Sequence, residues 1–258
     1  ASKCSERTNF SEWIDNAFTN GITFKIIIDE SHQNFTEKSD EIIQLFKTDK
    51  IIRCSATPIG TKTAKLIEVN EEDVIAEGLI KKLLVINENF PQVIETENQT
   101  HYLLEKAYAK QQELRSLFLQ RELDINPLIV VQLPNNSDAL CETVEKWFES
   151  KGVTTEAETL AIWLSGRHEN VDGISNNNAE SVAVIMKQAV ATGWDCPRAH
   201  ILVKLRENMD ETFEVQTIGR IRRMPEAKHY ENDLLDSCYL YTFDSKFTQG
   251  VKASLGKS

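Results

Sequence analysis

The sequence predicts an α/β protein built on parallel sheets, and three observations carry that expectation. Short apolar runs rich in branched residues alternate with longer segments of helical period, the pattern of strand–helix–strand units. The runs are almost wholly apolar instead of alternating with polar residues, as expected for strands covered on both faces. The chain has 258 residues with 41% hydrophobic and 27% charged, the mix of a packed globular protein with room for two domains.

In order, the predicted strands are Phe24–Asp29, Ile51–Ala56, Lys82–Ile86, Leu128–Leu133, Ala161–Leu164, Val182–Ile185, Ile201–Lys204 and Tyr239–Phe243. Between the third and fourth lies Thr96–Leu123, where Leu103, Leu104, Ala107, Leu114 and Leu117 recur at three and four. That spacing predicts a long amphipathic helix, punctuated by Pro91 before it and Pro127 after it. A domain boundary is expected near Asn89–Glu97. Residues 1–92 then form one domain, 93–126 a connecting helix and 127–258 a second domain. The polar, glycine-containing stretch Asn170–Asn178 reads as a loop, and no internal repeat is present.

The formal net charge is −11, which excludes a uniformly basic nucleic-acid coat and leaves only a local basic stripe for such contacts. No apolar run reaches the roughly 20 residues that span a bilayer, so no membrane partner is expected. Cys4, Cys54, Cys141, Cys196 and Cys238 are odd in number and widely spaced. Neither a disulfide framework nor a zinc site is suggested, and reduced thiols in a cytoplasmic setting are the simple expectation.

Four local patterns carry chemistry. The first strand ends in Asp29-Glu30-Ser31-His32, which puts two carboxylates at the carboxyl edge of a sheet, where open α/β folds bind ligands. One carboxylate with nucleotide phosphates suffices for Mg²⁺, and its neighbour can activate water; the plainer alternative is a solvated acidic turn. A serine-hydrolase reading of Ser31-His32 lacks a Gly-x-Ser-x-Gly elbow. The second strand ends in Ser55-Ala56-Thr57-Pro58, where a turn is the alternative. Thr192-Gly193-Trp194-Asp195 offers a glycine for close backbone approach and a carboxylate acceptor; alternatively it is a turn with a packed Trp. Finally, Gln216, Gly219, Arg220 and Arg223 fall on one face if Gln216–Pro225 is helical, with Arg222 directed elsewhere. Two guanidinium groups there suit phosphate binding, although an isolated Arg-rich turn is more often solvated surface.

Taken in order, Asp-Glu-x-His, Ser-Ala-Thr, Thr-Gly-Trp-Asp and Gln-x-x-Gly-Arg-x-x-Arg resemble motifs II, III, V and VI of superfamily-2 helicases. "ATGWDCPRA" and "VQTIGRIRRMPE" are most similar to the restriction subunit of type III restriction-modification enzymes and related DEAD/DEAH-box proteins. The resemblance covers roughly residues 20–245. It implies two RecA-like domains of the P-loop NTPase type that bind ATP and Mg²⁺ between them and move on double-stranded DNA, with a modification methyltransferase subunit as a further partner. It assigns Asp29 to Mg²⁺ and Glu30 to the attacking water. Ser55 and Thr57 would couple nucleotide to nucleic acid, as would Thr192, Gly193 and Asp195. Gln216, Gly219, Arg220 and Arg223 would face the γ-phosphate, the arginines acting as fingers.

One family element is absent: no Gly-x4-Gly-Lys-Ser/Thr phosphate loop occurs, since Val251 stands where the first glycine before Gly256-Lys257-Ser258 would be. The chain is therefore expected to be a piece of a longer motor, its first domain incomplete and its Phe24–Asp29 edge covered by another segment or chain. By itself it is expected to bind ATP poorly and to hydrolyse it negligibly. No paired-carboxylate nuclease pattern is recognised. A general helicase without nuclease, or a binding module that kept the fold, are the alternatives. Lys81, Lys82 and Arg198 are plausible further DNA contacts, and Trp194 either stacks on a base or packs in the core.

Overall fold

The computed structural model describes residues 2–29, 31, 37–55, 65–90, 99–135, 137–187, 194–205 and 217–255. The chain divides into compact units at 1–67 and 68–258, ahead of the Asn89–Glu97 region expected from sequence. The physical reason is strand pairing. The strand Leu83–Ile86, expected in the first domain, pairs in parallel with Ser237–Thr242 near the chain's end.

The first unit holds α1 (Ser2–Thr19), β1 (Ile26–Ile28), α2 (Glu37–Leu45) and β2 (Ile51–Arg53). Strands β1 and β2 pair in parallel, Ile26 opposite Ile51 and Ile28 opposite Arg53. Ile14 and Ala17 of α1 are buried, and Phe24 sits in edge-on contact with Phe18 and Phe46. Edge-to-face pairs of this kind add roughly 0.5–1.5 kcal/mol beyond area burial. Ile27 and Ile52, partners across the ladder, remain 70% and 58% exposed. An apolar face of this strand pair is thus left uncovered by the described residues, separately from the cover expected at the Phe24–Asp29 edge.

The second unit contains α3 (Glu71–Ala76), β3 (Leu83–Ile86), α4 (Gln99–Gln120), β4 (Leu128–Gln132), α5 (Asp138–Ser150), β5 (Leu160–Leu164), β6 (Arg167–Glu169), β7 (Ala183–Met186), β8 (Ala199–Lys204), β9 (Ser237–Thr242) and α6 (Ser245–Leu255). Its sheet has seven strands in the order β3-β9-β8-β4-β7-β5-β6, parallel except for the β5–β6 hairpin. Strands β4, β7, β8 and β9 are buried throughout, which accounts for the mainly apolar runs of β4 and β7, whereas β8 and β9 also bury His200, Lys204, Ser237 and Thr242. Strand β6 escaped the sequence reading because Arg-His-Glu carries no apolar alternation.

Side-chain alternation splits the core into layers. Ile129, Val131, Ile201, Val203, Tyr239 and Tyr241 face α4 and α5, meeting Leu104, Leu114, Phe118, Val144 and Phe148. Leu128, Val130, Leu202, Cys238 and Leu240 face the opposite layer with Trp194, Ile218, Ile221 and Phe247. Each such aliphatic side chain contributes roughly 1.5–3 kcal/mol on full burial. Of the predicted α4 face, Leu103, Leu104, Ala107 and Leu114 are buried and Leu117 is partly buried against the same cluster, with Phe118 adding a buried ring. Among the described residues no helix is long and apolar enough to cross a membrane.

Candidate functional site

In the first unit the parallel ladder runs past the assigned strands. Cys54 N–H donates to Ile28 O at 2.8 Å and Ser31 N–H to Cys54 O at 3.0 Å. These bonds bring the segment after β1, with Asp29, beside the segment after β2, with Ser55, at one carboxyl edge. Asp29 is exposed and Ser55 half-buried. Glu30 and Thr57 lie outside the described residues, as do Thr192, Gly193 and Gln216. Among the described residues no group of three or more His, Cys, Asp or Glu side chains could hold a metal ion.

In the second unit the structure corrects the expected helix and still gathers its arginines. The helical turn spans 217–221 and stops short of Arg223, which forms an antiparallel bridge with Ile80. Pro225 accounts for part of this, because the residue before a proline is steered out of the helical region. Arg223 and Arg220 are thus not on one helical face, yet both reach the same short segment. Arg220 Nη1 donates to Trp194 O at 2.6 Å, and Arg223 Nη1 pairs with Asp195 Oδ1 at 2.7 Å. Gly219 is exposed, and no described residue lies within 4 Å of where a Cβ would sit.

Arg222 does point elsewhere. It is buried, and its Nη2 pairs with Glu71 Oε1 of α3 at 2.8 Å. That hydrogen bond holds the Glu71 carboxyl below the usual carboxylate range against the opposing effect of burial.

Of the further contacts weighed from sequence, Trp194 takes the packed alternative, and Lys81 and Arg198 prove internal. Trp194 is only 7% exposed and packs in the core, edge-on to Trp163, so base stacking is ruled out for it in this structure. Arg198 is buried and donates to the carbonyls of Ile174, Asn126 and Ser181 at 2.7, 2.6 and 2.9 Å. Burial pushes its guanidinium down to about 10; it is a structural tie. Lys82 pairs with buried Asp236 at 3.1 Å. Lys81 is wholly buried, its ammonium enclosed by backbone carbonyls, and burial pushes it down to about 7. Sequence reasoning missed the structural parts of Glu71 and Lys81. A lysine pair ahead of an apolar strand reads as solvated surface, and only long-range pairing makes one member internal.

No family model matches the sequence, and no curated protein matches it. Solved structures do resemble the fold. One is a Saccharomyces cerevisiae Dbp5 variant bound to a Gle1 variant and IP6, with TM-score 0.52 and 14% identity over 95% of this chain. Another is a fragment of a putative HsdR subunit of a type I restriction enzyme from Vibrio vulnificus, with TM-score 0.51 and 17% identity over 88% of this chain. The chain spans 59% of the first structure's length and 45% of the second's. The likeness is one of fold: a mixed α/β chain with a mostly parallel seven-stranded sheet of the RecA-like kind.

Proposed function

We propose that the chain belongs to an ATP-hydrolysing motor that moves on nucleic acid, with double-stranded DNA as its track. A restriction subunit of the type III class, working beside a modification methyltransferase subunit, is the parent we favour. The observation that carries the reading is the convergence of Arg220 and Arg223 on Trp194–Asp195. Two segments to which the resemblance gives different roles, coupling for Asp195 and γ-phosphate contact for the arginines, meet there. The likeness to a putative HsdR fragment supports a restriction motor only at the level of fold.

In this reading Asp29 holds Mg²⁺ together with the phosphates of ATP, and the ion neutralises charge on the transferred phosphoryl group. Glu30 orients and deprotonates water. Arg220 and Arg223 supply guanidinium charge to the γ-phosphoryl oxygens, where planar forks bind best and where charge develops in the transition state. Asp195 holds Arg223 in a defined direction until substrate competes for it. Ser55 and Thr57, with Thr192 and Gly193, couple nucleotide state to nucleic-acid contact.

The test is DNA-stimulated ATP hydrolysis by the full-length protein that contains this chain. Glu30→Gln and Arg220→Ala are each expected to lower turnover by about 10³-fold or more. Turnover that survives both would sink these residue roles, and absence of DNA-stimulated turnover in the wild-type full-length protein would leave a binding module.

A further inference from the structure

A buried lysine without a carboxylate is a costly residue to keep, since desolvation of an ammonium outweighs most single hydrogen bonds. Lys81 is such a residue. Its Nζ lies 3.1 Å from Pro197 O, 3.3 Å from Ala199 O, 2.8 Å from Ile221 O and 2.5 Å from Arg223 O. An ammonium has three N–H donors and no acceptor, so this cage of carbonyls favours the protonated form against the burial that opposes it.

The identity of the carbonyls matters more than their number. Pro197 and Ala199 belong to the segment that follows Asp195, whereas Ile221 and Arg223 belong to the arginine turn. Those segments also meet through Asp195–Arg223 and Arg220–Trp194 O. Lys81 is held in turn by that turn: its N–H donates to Arg222 O, and Arg222 Nη2 approaches Lys81 O at 3.4 Å. Met224 N–H donates to Leu79 O at 3.0 Å, and Ile80 bridges Arg223.

We propose that Lys81 is the positioning residue for Arg220 and Arg223, its ammonium clasping the 197–199 and 221–223 backbones at the separation that lets both arginines reach Trp194–Asp195. The consequence for turnover rests on the motor reading above; the placement of the guanidinium groups does not. Lys81 touches no reacting atom and acts through the backbone of the residues that do.

The experiment compares Lys81→Met and Lys81→Ala with the wild type. In this chain, side-chain ¹⁵N NMR of Arg220 and Arg223 reads whether each guanidinium is held. Both resonances are expected to collapse to solvent-averaged signals in each variant. In Lys81→Ala, n-propylammonium is expected to restore them, and sodium chloride at equal ionic strength is not. In the full-length protein kcat should fall by about 10- to 100-fold, with KM for ATP nearly unchanged, as misplacement of a transition-state group requires. If Lys81→Met fails to fold, Lys81→Ala refolded with n-propylammonium decides: a folded protein lacking held arginines overturns the proposal. Retention of both resonances and of kcat in either variant also overturns it. Lost signals that propylammonium restores support the positioning even where Arg220→Ala leaves wild-type turnover unaltered. That last result would overturn the residue roles of the motor reading alone.

Discussion

Asp195 and Arg223 form an ion pair at 2.7 Å while remaining 58% and 48% exposed. A pair so open to water stabilises a fold by about 0–1 kcal/mol, so its position beside Arg220 has to be explained by what it orients. Asp195→Asn is therefore expected to change the melting temperature of this chain little and to lower DNA-stimulated turnover of the full-length protein. Thermal unfolding and steady-state ATPase, measured on the same variant, separate the two effects. A large loss of stability with intact turnover would show the pair to be structural.

Arg198 is the converse case, a cation whose burial removes it from any surface role. Its guanidinium ties the carbonyls of Asn126, Ile174 and Ser181 into the start of β8, with no carboxylate among those partners. Arg198→Ala would strand several carbonyls at once, each worth about 1–3 kcal/mol when left buried and unpaired. The expected result is a loss of about 3 kcal/mol or more by chemical denaturation. The salt dependence of DNA affinity in whatever protein remains folded should be unchanged, because no phosphate contact is lost. A shallower salt slope would restore Arg198 as a phosphate contact.

How much of this could be read from sequence depends on the range of the interactions. Strands β4, β7 and β8 announce themselves because parallel central strands must be apolar on both faces, and α4 because its buried residues keep helical spacing. The membership of β3 was not legible, since Leu83–Ile86 finds its partner in Ser237–Thr242 and nothing local encodes that pairing. Motif order gave Arg220, Arg223 and Asp195 separate roles, and neither their meeting nor its geometry was legible in it. The helical spacing placed Arg223 on a helix that ends at 221. Lys81 and Arg222 look solvated in sequence and become internal only when the segment after α3 docks on the arginine turn.

A buried pair supplies the pH prediction. Lys204 Nζ and Asp244 Oδ2 meet at 2.5 Å with both side chains nearly inaccessible, and the same ammonium lies 4.2 Å from the centre of the Phe247 ring. Burial alone would raise the Asp244 pKa, but the Lys204 hydrogen bond and the Phe247 N–H hold it below its ordinary value. A carboxyl depressed in the folded state contributes stability above its unfolded pKa of about 3.9, and loses it as pH falls further through the folded value. Asp244→Asn takes the Asp244 carboxylate from the buried Lys204 ammonium and should cost about 3–5 kcal/mol at neutral pH. The double change Lys204→Met with Asp244→Leu should recover most of that loss and flatten the acid limb below about pH 4. Urea midpoints across pH for the three proteins check this. An acid limb equally steep in the double variant would mean other carboxylates set it.

Gly78 tests whether the arginine turn is built by close approach. Its φ is +73°, and a Cβ added there would meet Lys228 Cα at 2.9 Å and His229 N at 3.3 Å. Gly152, with φ of +76°, has nothing within 4 Å of the same position. Alanine at each site incurs the left-handed backbone cost, about 1 kcal/mol, but only Gly78→Ala must also push the 227–229 backbone away. Because His229 Nε2 lies 2.9 Å from Ile80 O and Ile80 bridges Arg223, that displacement acts on the turn itself. Gly78→Ala is therefore expected to be clearly more destabilising than Gly152→Ala and, unlike it, to speed hydrogen exchange at Met224 N–H, which donates to Leu79 O. Equal losses in the two variants, with Met224 equally protected, would mean that the segment from Gly78 to Lys81 does not set the arginine turn.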